Sequence, residues 1–227
     1  YEDLAAENEQ LKQQVNELNQ QLVEFYQYKQ ENAQLKNYLG LKENNPDYQF
    51  VSASVINRDP NNLYYTFTLD QGSNAGVKVN DPVITDQGVV GWVSQVSAMY
   101  CEVTTILSPD TNISATDKVN RESGTISSNA QLSDQGLIKL GLLEAGTTVQ
   151  EGDIIVTSGI GGKFPKDLLI GKAVEVKPEE NDVSLYATVE PFVDIKTVRD
   201  VIIITSFNGQ GEVADNTDTN NASSNGG

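Results

Sequence analysis

Histidine is absent from all 227 residues, cysteine, methionine and tryptophan occur once each, and 15 basic residues face 32 acidic ones. Each shortage excludes a class of function. Without imidazole there is no Ser-His-Asp triad, no histidine zinc site and no side chain whose ordinary pKa suits a general base near neutrality. A lone cysteine permits no disulfide within the chain, and Cys101, in the strand-like run YCEVTTIL, reads as a small buried thiol and not as a nucleophile. A formal charge of -17 with no basic cluster repels phosphate backbones and anionic headgroups, so nucleic acid is not an expected partner. No apolar run approaches the ~20 residues that a membrane-spanning helix needs.

What is present begins with a heptad. Leu4, Asn8, Leu11, Val15, Leu18, Leu22 and Phe25 recur at alternating spacings of four and three, with Gln, Glu, Asn and Lys between them. The stripe is too narrow and its flanks too polar for a helix packed on its own globular core, so residues 1–42 read as a self-associating coiled coil held by Leu11, Val15, Leu18, Leu22 and Phe25. Asn8 on the seam fixes register, as in parallel dimers. Leu35 and Leu39 continue the stripe, and Gly40 is the expected stop. The chain starts inside this pattern without an initiator Met, as expected of a segment of something longer.

After ENNPD the period changes from helical to alternating. Strands are expected at 50–56, 63–69, 82–84, 89–93, 101–107, 137–140, 153–157, 170–176, 185–189 and 198–204, separated by Gly, Asn, Asp and Pro. Short, evenly spaced strands without helices between them predict a mainly β architecture. The predicted domains are 43–123 and 124–207, two small antiparallel β-barrels with strand exchange between them possible, and then a disordered tail over 208–227 that is rich in Gly, Asn, Ser, Thr and Asp.

TSGIGGKFPK, at Thr157 to Lys166, has the look of a phosphate loop, and its spacing rules that out. A Walker loop would place Gly at Thr157 and a hydroxyl at Phe164, while G-x-G-x-x-G would need a third glycine at Phe164. An internal repeat supplies another reading. Val77–Thr85 aligns with Val149–Thr157 through V-x-x-[NG]-D-x-[VI]-[VI]-T, and Val90–Val96 aligns with Ile170–Val176. Only the connection differs, at four residues (86–89) in the first copy and twelve (158–169) in the second. The glycine stretch is then a structural loop. Gly159, Gly161 and Gly162 bend the chain or admit another backbone, Phe164 and Pro165 pack inward, Lys163 faces solvent and Gly171 leads the next strand.

GxxxGVxxxxPVITDQGVVGWV at Gly72 to Val93, VINRDP at Val55 to Pro60 and TSGIGGKFPKDLLIG at Thr157 to Gly171 together resemble the extracytoplasmic part of the rod shape-determining MreC family, over essentially Leu4 to Phe207. The resemblance implies a non-enzymatic scaffold on a bitopic membrane protein, whose membrane helix is missing from this segment. A parallel homodimeric coiled coil would lead out of the bilayer to two barrels that are chymotrypsin-like in fold but lack catalytic residues. Its implied partners are a second copy of itself, a class B penicillin-binding protein and MreD, and indirectly the cytoplasmic MreB filaments; no cofactor is implied. One position departs from the family pattern. Asp167 stands where the FPxG step has its glycine, which puts a turn with positive φ there in question.

Rival readings remain at this level. Acid pairs such as Glu179 with Glu180, or Asp110 with Asp117, could in principle serve acid-base chemistry, but the first pair follows a proline between strands, where solvated turn charge is the ordinary content. A periplasmic adaptor of an export pump also joins coiled coil to barrel, yet its helices form a hairpin. Trp92, Tyr64 and Tyr65 are candidate contact aromatics. Alternation in LYYTFTL puts Tyr65 with Phe67 and Leu69 on the buried face and leaves Tyr64 outward, as the candidate partner contact.

Overall fold

The computed structural model describes residues 2–59, 61, 65–180 and 182–212. They fall into two compact units, Tyr1–Pro46 and Asp47–Gly227.

The first unit is helix α1, Glu2–Asn44. Leu, Gln, Glu, Lys and Ala dominate it, all strong helix formers. Gly40 does not stop it, contrary to the expectation from sequence, because glycine inside a helix costs about 1 kcal/mol against alanine but breaks no hydrogen bond. The stop is Pro46, which disfavours helical backbone at Asn45. There the Asn45 backbone N–H and side-chain amide both donate to the Leu41 carbonyl, at 3.0 and 3.2 Å, and Lys42 Nζ donates to the Pro46 carbonyl at 3.2 Å.

The described residues of the second unit form twelve strands. The chain lays down β1 (Gln49–Arg58), β2 (Thr66–Leu69), β3 (Pro82–Ile84), β4 (Val89–Val96) and β5 (Cys101–Thr105). It continues with β6 (Ile113–Asp117), β7 (Ser123–Ser127), a short helix α2 (Ala130–Asp134), β8 (Ile138–Leu143), β9 (Ile154–Thr157), β10 (Leu169–Pro178) and β11 (Leu185–Pro191), and closes with β12 (Asp200–Ser206). They form two closed antiparallel barrels, ordered β1-β12-β3-β4-β5-β2 and β10-β11-β8-β7-β6-β9.

The boundary expected at 123/124 would cut β7 in two. Strands β6 and β7 both belong to the second barrel, and they escaped the sequence reading because ISATD and SGTIS are mostly Ser, Thr, Gly and Asp. The last strand, β12, returns to the first barrel and pairs along β1 from Gln49 with Ser206 to Ser54 with Asp200. Around each ring, β12, β1, β2, β3, β4 and β5 occupy the places of β6, β7, β8, β9, β10 and β11. The first barrel is therefore the second with its opening strand supplied from the far end of the chain.

The repeat shows up in atomic detail. Asn80 and Gly152 both have positive φ, 74° and 94°. Asp81 Oδ2 accepts from the Lys78 backbone N–H at 2.7 Å, and Asp153 Oδ2 accepts from that of Gln150 at 2.8 Å. Val93 exchanges backbone hydrogen bonds with Asn80 and Asp81, just as Ala173 does with Gly152 and Asp153. A side chain at Gly91 would strike the Thr104 carbonyl at 2.0 Å, and one at Gly171 the Glu190 carbonyl at 2.2 Å, so both Gly-led strands are packed too closely for any Cβ.

Each barrel has its own apolar centre, with Leu69, Val83, Val93 and Val103 fully buried in the first and Ile126, Leu140, Ile155 and Ile170 in the second. Closure leaves no unpaired strand edge. In the VINRDP motif, Arg58 reaches across the second unit and donates to the Ile195 and Val198 carbonyls with its guanidinium 5.0 Å from the Phe67 ring centre, which fastens the β11–β12 connection to the first barrel.

Candidate functional site

No catalytic constellation forms among the residues singled out for chemistry. Cys101 opens β5 fully buried, and burial pushes its thiol up to about 11. Asp117 lies buried at the end of β6, where one carboxylate oxygen caps the following turn by accepting from the Val119 and Asn120 backbone N–H groups. Its other oxygen has no hydrogen-bond partner among the described residues. Glu179 pairs with Lys139. Among the described residues no three acidic or thiol groups cluster in a way that could hold a metal ion.

The glycine loop is built as a clasp. Thr157 ends β9 fully buried, and its hydroxyl donates to the Pro165 carbonyl at 2.5 Å while accepting from the Leu168 backbone N–H at 2.9 Å, which ties both ends of the loop together. Gly159, Gly161 and Gly162 all have positive φ, at 79°, 85° and 65°. Phe164 and Pro165 are buried and Lys163 is exposed. Asp167 also turns left-handed, at φ 66°, so the turn with positive φ that was in question there does form, and it is braced by an Arg121 ion pair of 2.6 Å.

Gly162 admits another backbone, as the sequence allowed, but which backbone it is comes only from the structure. A Cβ there would lie 2.7 Å from the Gly209 carbonyl oxygen and 2.8 Å from the Gly211 and Glu212 nitrogens. The backbone approaching it is the strap that follows β12, residues 207–212. Gly211 donates to the Gly162 carbonyl at 3.0 Å, Gln210 Nε2 to Asp81 Oδ1 at 3.2 Å, and the Asn208 N–H to Asp47 Oδ2 at 3.3 Å. Phe207 is buried against the Tyr48 ring. Residues 208–212 are thus ordered, where a disordered tail was expected, because their backbone N–H groups and the Gln210 side chain find partners on both barrels; the rest of the expected tail, 213–227, lies outside the described residues. Burial pushes the Asp81 carboxyl up to about 6, against hydrogen bonds from Lys78 and Gln210 that favour its charged form. Nothing in VKVNDPV marks this aspartate as buried, since what covers it comes from 129 residues away.

Leu11, Val15, Leu18, Leu22 and Phe25 lie between 49% and 62% exposed along α1. Trp92 and Tyr65 are half-buried, so Tyr65 is not the core residue that alternation predicts; Phe67 and Leu69 are. β2 begins only at Thr66, one residue beyond it. Tyr64, the candidate partner contact, lies outside the described residues.

Against this geometry, a family model described as "Rod shape-determining protein MreC, barrel core" matches residues 55–205. The cell shape-determining protein MreC of Listeria monocytogenes is 32% identical over 212 residues, which cover 93% of this chain and 72% of that protein. Its Escherichia coli counterpart is 29% identical over 203 residues, covering 89% of this chain and 54% of the relative, so the chain spans about half of that protein's length. Among solved structures, MreC of Listeria monocytogenes superposes with a TM-score of 0.66 at 29% identity, over 92% of this chain and 100% of that one. A chain of the Helicobacter pylori complex between Penicillin-Binding Protein (PBP2) and MreC superposes with a TM-score of 0.56 over 70% of this chain and 99% of that one, and at 13% identity the likeness is one of fold.

Proposed function

The chain belongs to the MreC family of rod shape-determining proteins, and from that premise we propose that it is the extracytoplasmic scaffold of a cell-elongation assembly, acting without catalysis of its own. The observation that carries this reading is the exposed seam. Five apolar residues at heptad spacing, each about half exposed or more, stand on a 43-residue helix. A second copy in parallel register covers them, and both helices then lead back to one membrane. The barrels present closed surfaces to partners, of which a class B penicillin-binding transpeptidase is the principal one; the Helicobacter pylori complex, which pairs MreC with Penicillin-Binding Protein (PBP2), supports this reading. MreD in the membrane and MreB filaments beneath it complete the assembly.

The adaptor reading has no matching observation, since the described residues contain one long helix and not a returning pair. The scaffold reading is tested by titrating the full chain with the extracytoplasmic part of the class B transpeptidase of the same cell. A saturable, stoichiometric complex that needs no substrate is expected. Absence of a complex while the chain remains dimeric would overturn it.

A further inference from the structure

On the outer face of the second barrel, β8, β11 and β10 floor a groove of about 680 Å3, bounded by α2 and by the turn between β10 and β11. Clefts of about 300–1,000 Å3 enclose a drug-sized ligand, a volume comparable to that of a few side chains. Strand register gives this one a polarity. Leu132 and Leu137, both half-exposed, precede β8, whereas Glu179, Glu180 and Asp182 lie at the turn beyond the pairing of Leu143 with Leu185.

The groove's two cations are already engaged. Lys139 pairs with Glu179 and sits 4.6 Å from the Tyr186 ring centre, and Lys177 pairs with Glu175 at 2.8 Å. Glu180 and Asp182 thus leave the groove with excess negative charge at its turn end. The Ser184 hydroxyl and the Val183 backbone N–H donate to the Asp182 carboxyl and hold it below the usual range, so it is anionic at neutral pH.

We infer that this groove docks a short segment of the transpeptidase partner in which an apolar side chain stands beside a lysine or arginine. The apolar group lies at the Leu132–Leu137 end and the cation at Glu180 and Asp182. The inference rests on the scaffold reading above. Because both barrels are closed, no strand can add to an edge, and recognition has to run through side chains. A second copy of the chain is the wrong occupant on charge, as its own surface carries the same excess of acid.

The full chain carrying E180K together with D182K, titrated with the extracytoplasmic transpeptidase domain, tests this directly. Both residues are exposed in a turn, so the variant keeps its fold, and the loss of the Ser184 and Val183 hydrogen bonds to Asp182 lowers the melting temperature by no more than a small amount. Binding weakens at least tenfold near physiological ionic strength, and the gap to wild type narrows as salt rises. L132E weakens binding without that salt dependence, and E144K with E151K, an equal charge change elsewhere, leaves affinity unaltered. Wild-type affinity in E180K/D182K removes the groove as the docking site while the scaffold reading stands. Failure of the wild-type chain to bind removes both. A changed sedimentation coefficient with unchanged transpeptidase affinity assigns the groove to contacts between copies and overturns the inference.

Discussion

Arg121 and Asp167, 46 residues apart in sequence, meet in a 2.6 Å ion pair, and each takes a left-handed backbone, with φ of 60° and 66°. One residue turns the chain between β6 and β7, the other turns it into β10. The pair is half-exposed, so its own contribution is at most about 1 kcal/mol, while left-handed backbone at a residue with a Cβ costs about 1–2 kcal/mol. Asp167→Gly therefore loses one effect and gains the other, and denaturant unfolding should place it within about 1 kcal/mol of wild type. Asp167→Val loses the pair, keeps the strain and adds a β-branch, and should cost about 1–3 kcal/mol.

Gly161 and Gly162 differ in what surrounds them, and the difference is measurable. Around Gly161 there is open space, so Gly161→Ala should cost only the left-handed backbone term, about 1 kcal/mol. Gly162→Ala must also push the strap away, and about 2–3 kcal/mol is expected. Lys163→Ala should be silent in both melting temperature and phosphate binding, since its side chain is exposed. A larger loss at Gly161 than at Gly162 would remove the strap from the account.

Truncation after Phe207, compared with truncation after Glu212, isolates the strap's hydrogen bonds to Gly162, Asp81 and Asp47. Each such bond contributes about 0.5–1.5 kcal/mol net, so the shorter chain should melt several degrees lower. Equal melting temperatures would show that the strap stays undocked in solution.

Asp81 gives stability an unusual pH dependence. With its folded pKa raised to about 6, the native state binds a proton more readily than the unfolded chain. The group's contribution is fully present below the unfolded value near 3.8 and is lost as pH rises through about 6. At about 1.4 kcal/mol per unit, it amounts to up to about 3 kcal/mol. Asp81→Asn removes the ionisation. The stability advantage of this variant over wild type should grow between pH 4 and 7 in urea titrations, and a constant difference between the two would contradict the burial of Asp81.

The helical seam predicts a dimer that depends on residues 1–46. Sedimentation should find the full chain dimeric and residues 47–227 monomeric. Leu18→Glu, which puts a charge on the seam at a residue 62% exposed in the single chain, should weaken the dimer while leaving barrel unfolding unchanged. A dimer that survives removal of the helix would place self-association in the barrels.

Local pattern alone was enough for the N-terminal helix, the β character after ENNPD, the family resemblance and the repeat that aligns Asn80 with Gly152. Heptad spacing, two-residue alternation and positive-φ residue types act within a few positions of one another, so they can be read from neighbours in the chain. β6 and β7 were not legible, because a strand built from Ser, Thr and Gly owes its conformation to the strands on either side of it. Strand exchange between the barrels was allowed for, but that β12 is the strand that returns was not legible, because it depends on which distant edge remains open once β1 has paired with β2. The burial of Asp81 and the need for glycine at 162 were settled only when the strap arrived from the end of the chain. Close approach between backbones far apart in sequence leaves no trace in either local pattern, and tertiary structure alone decides it.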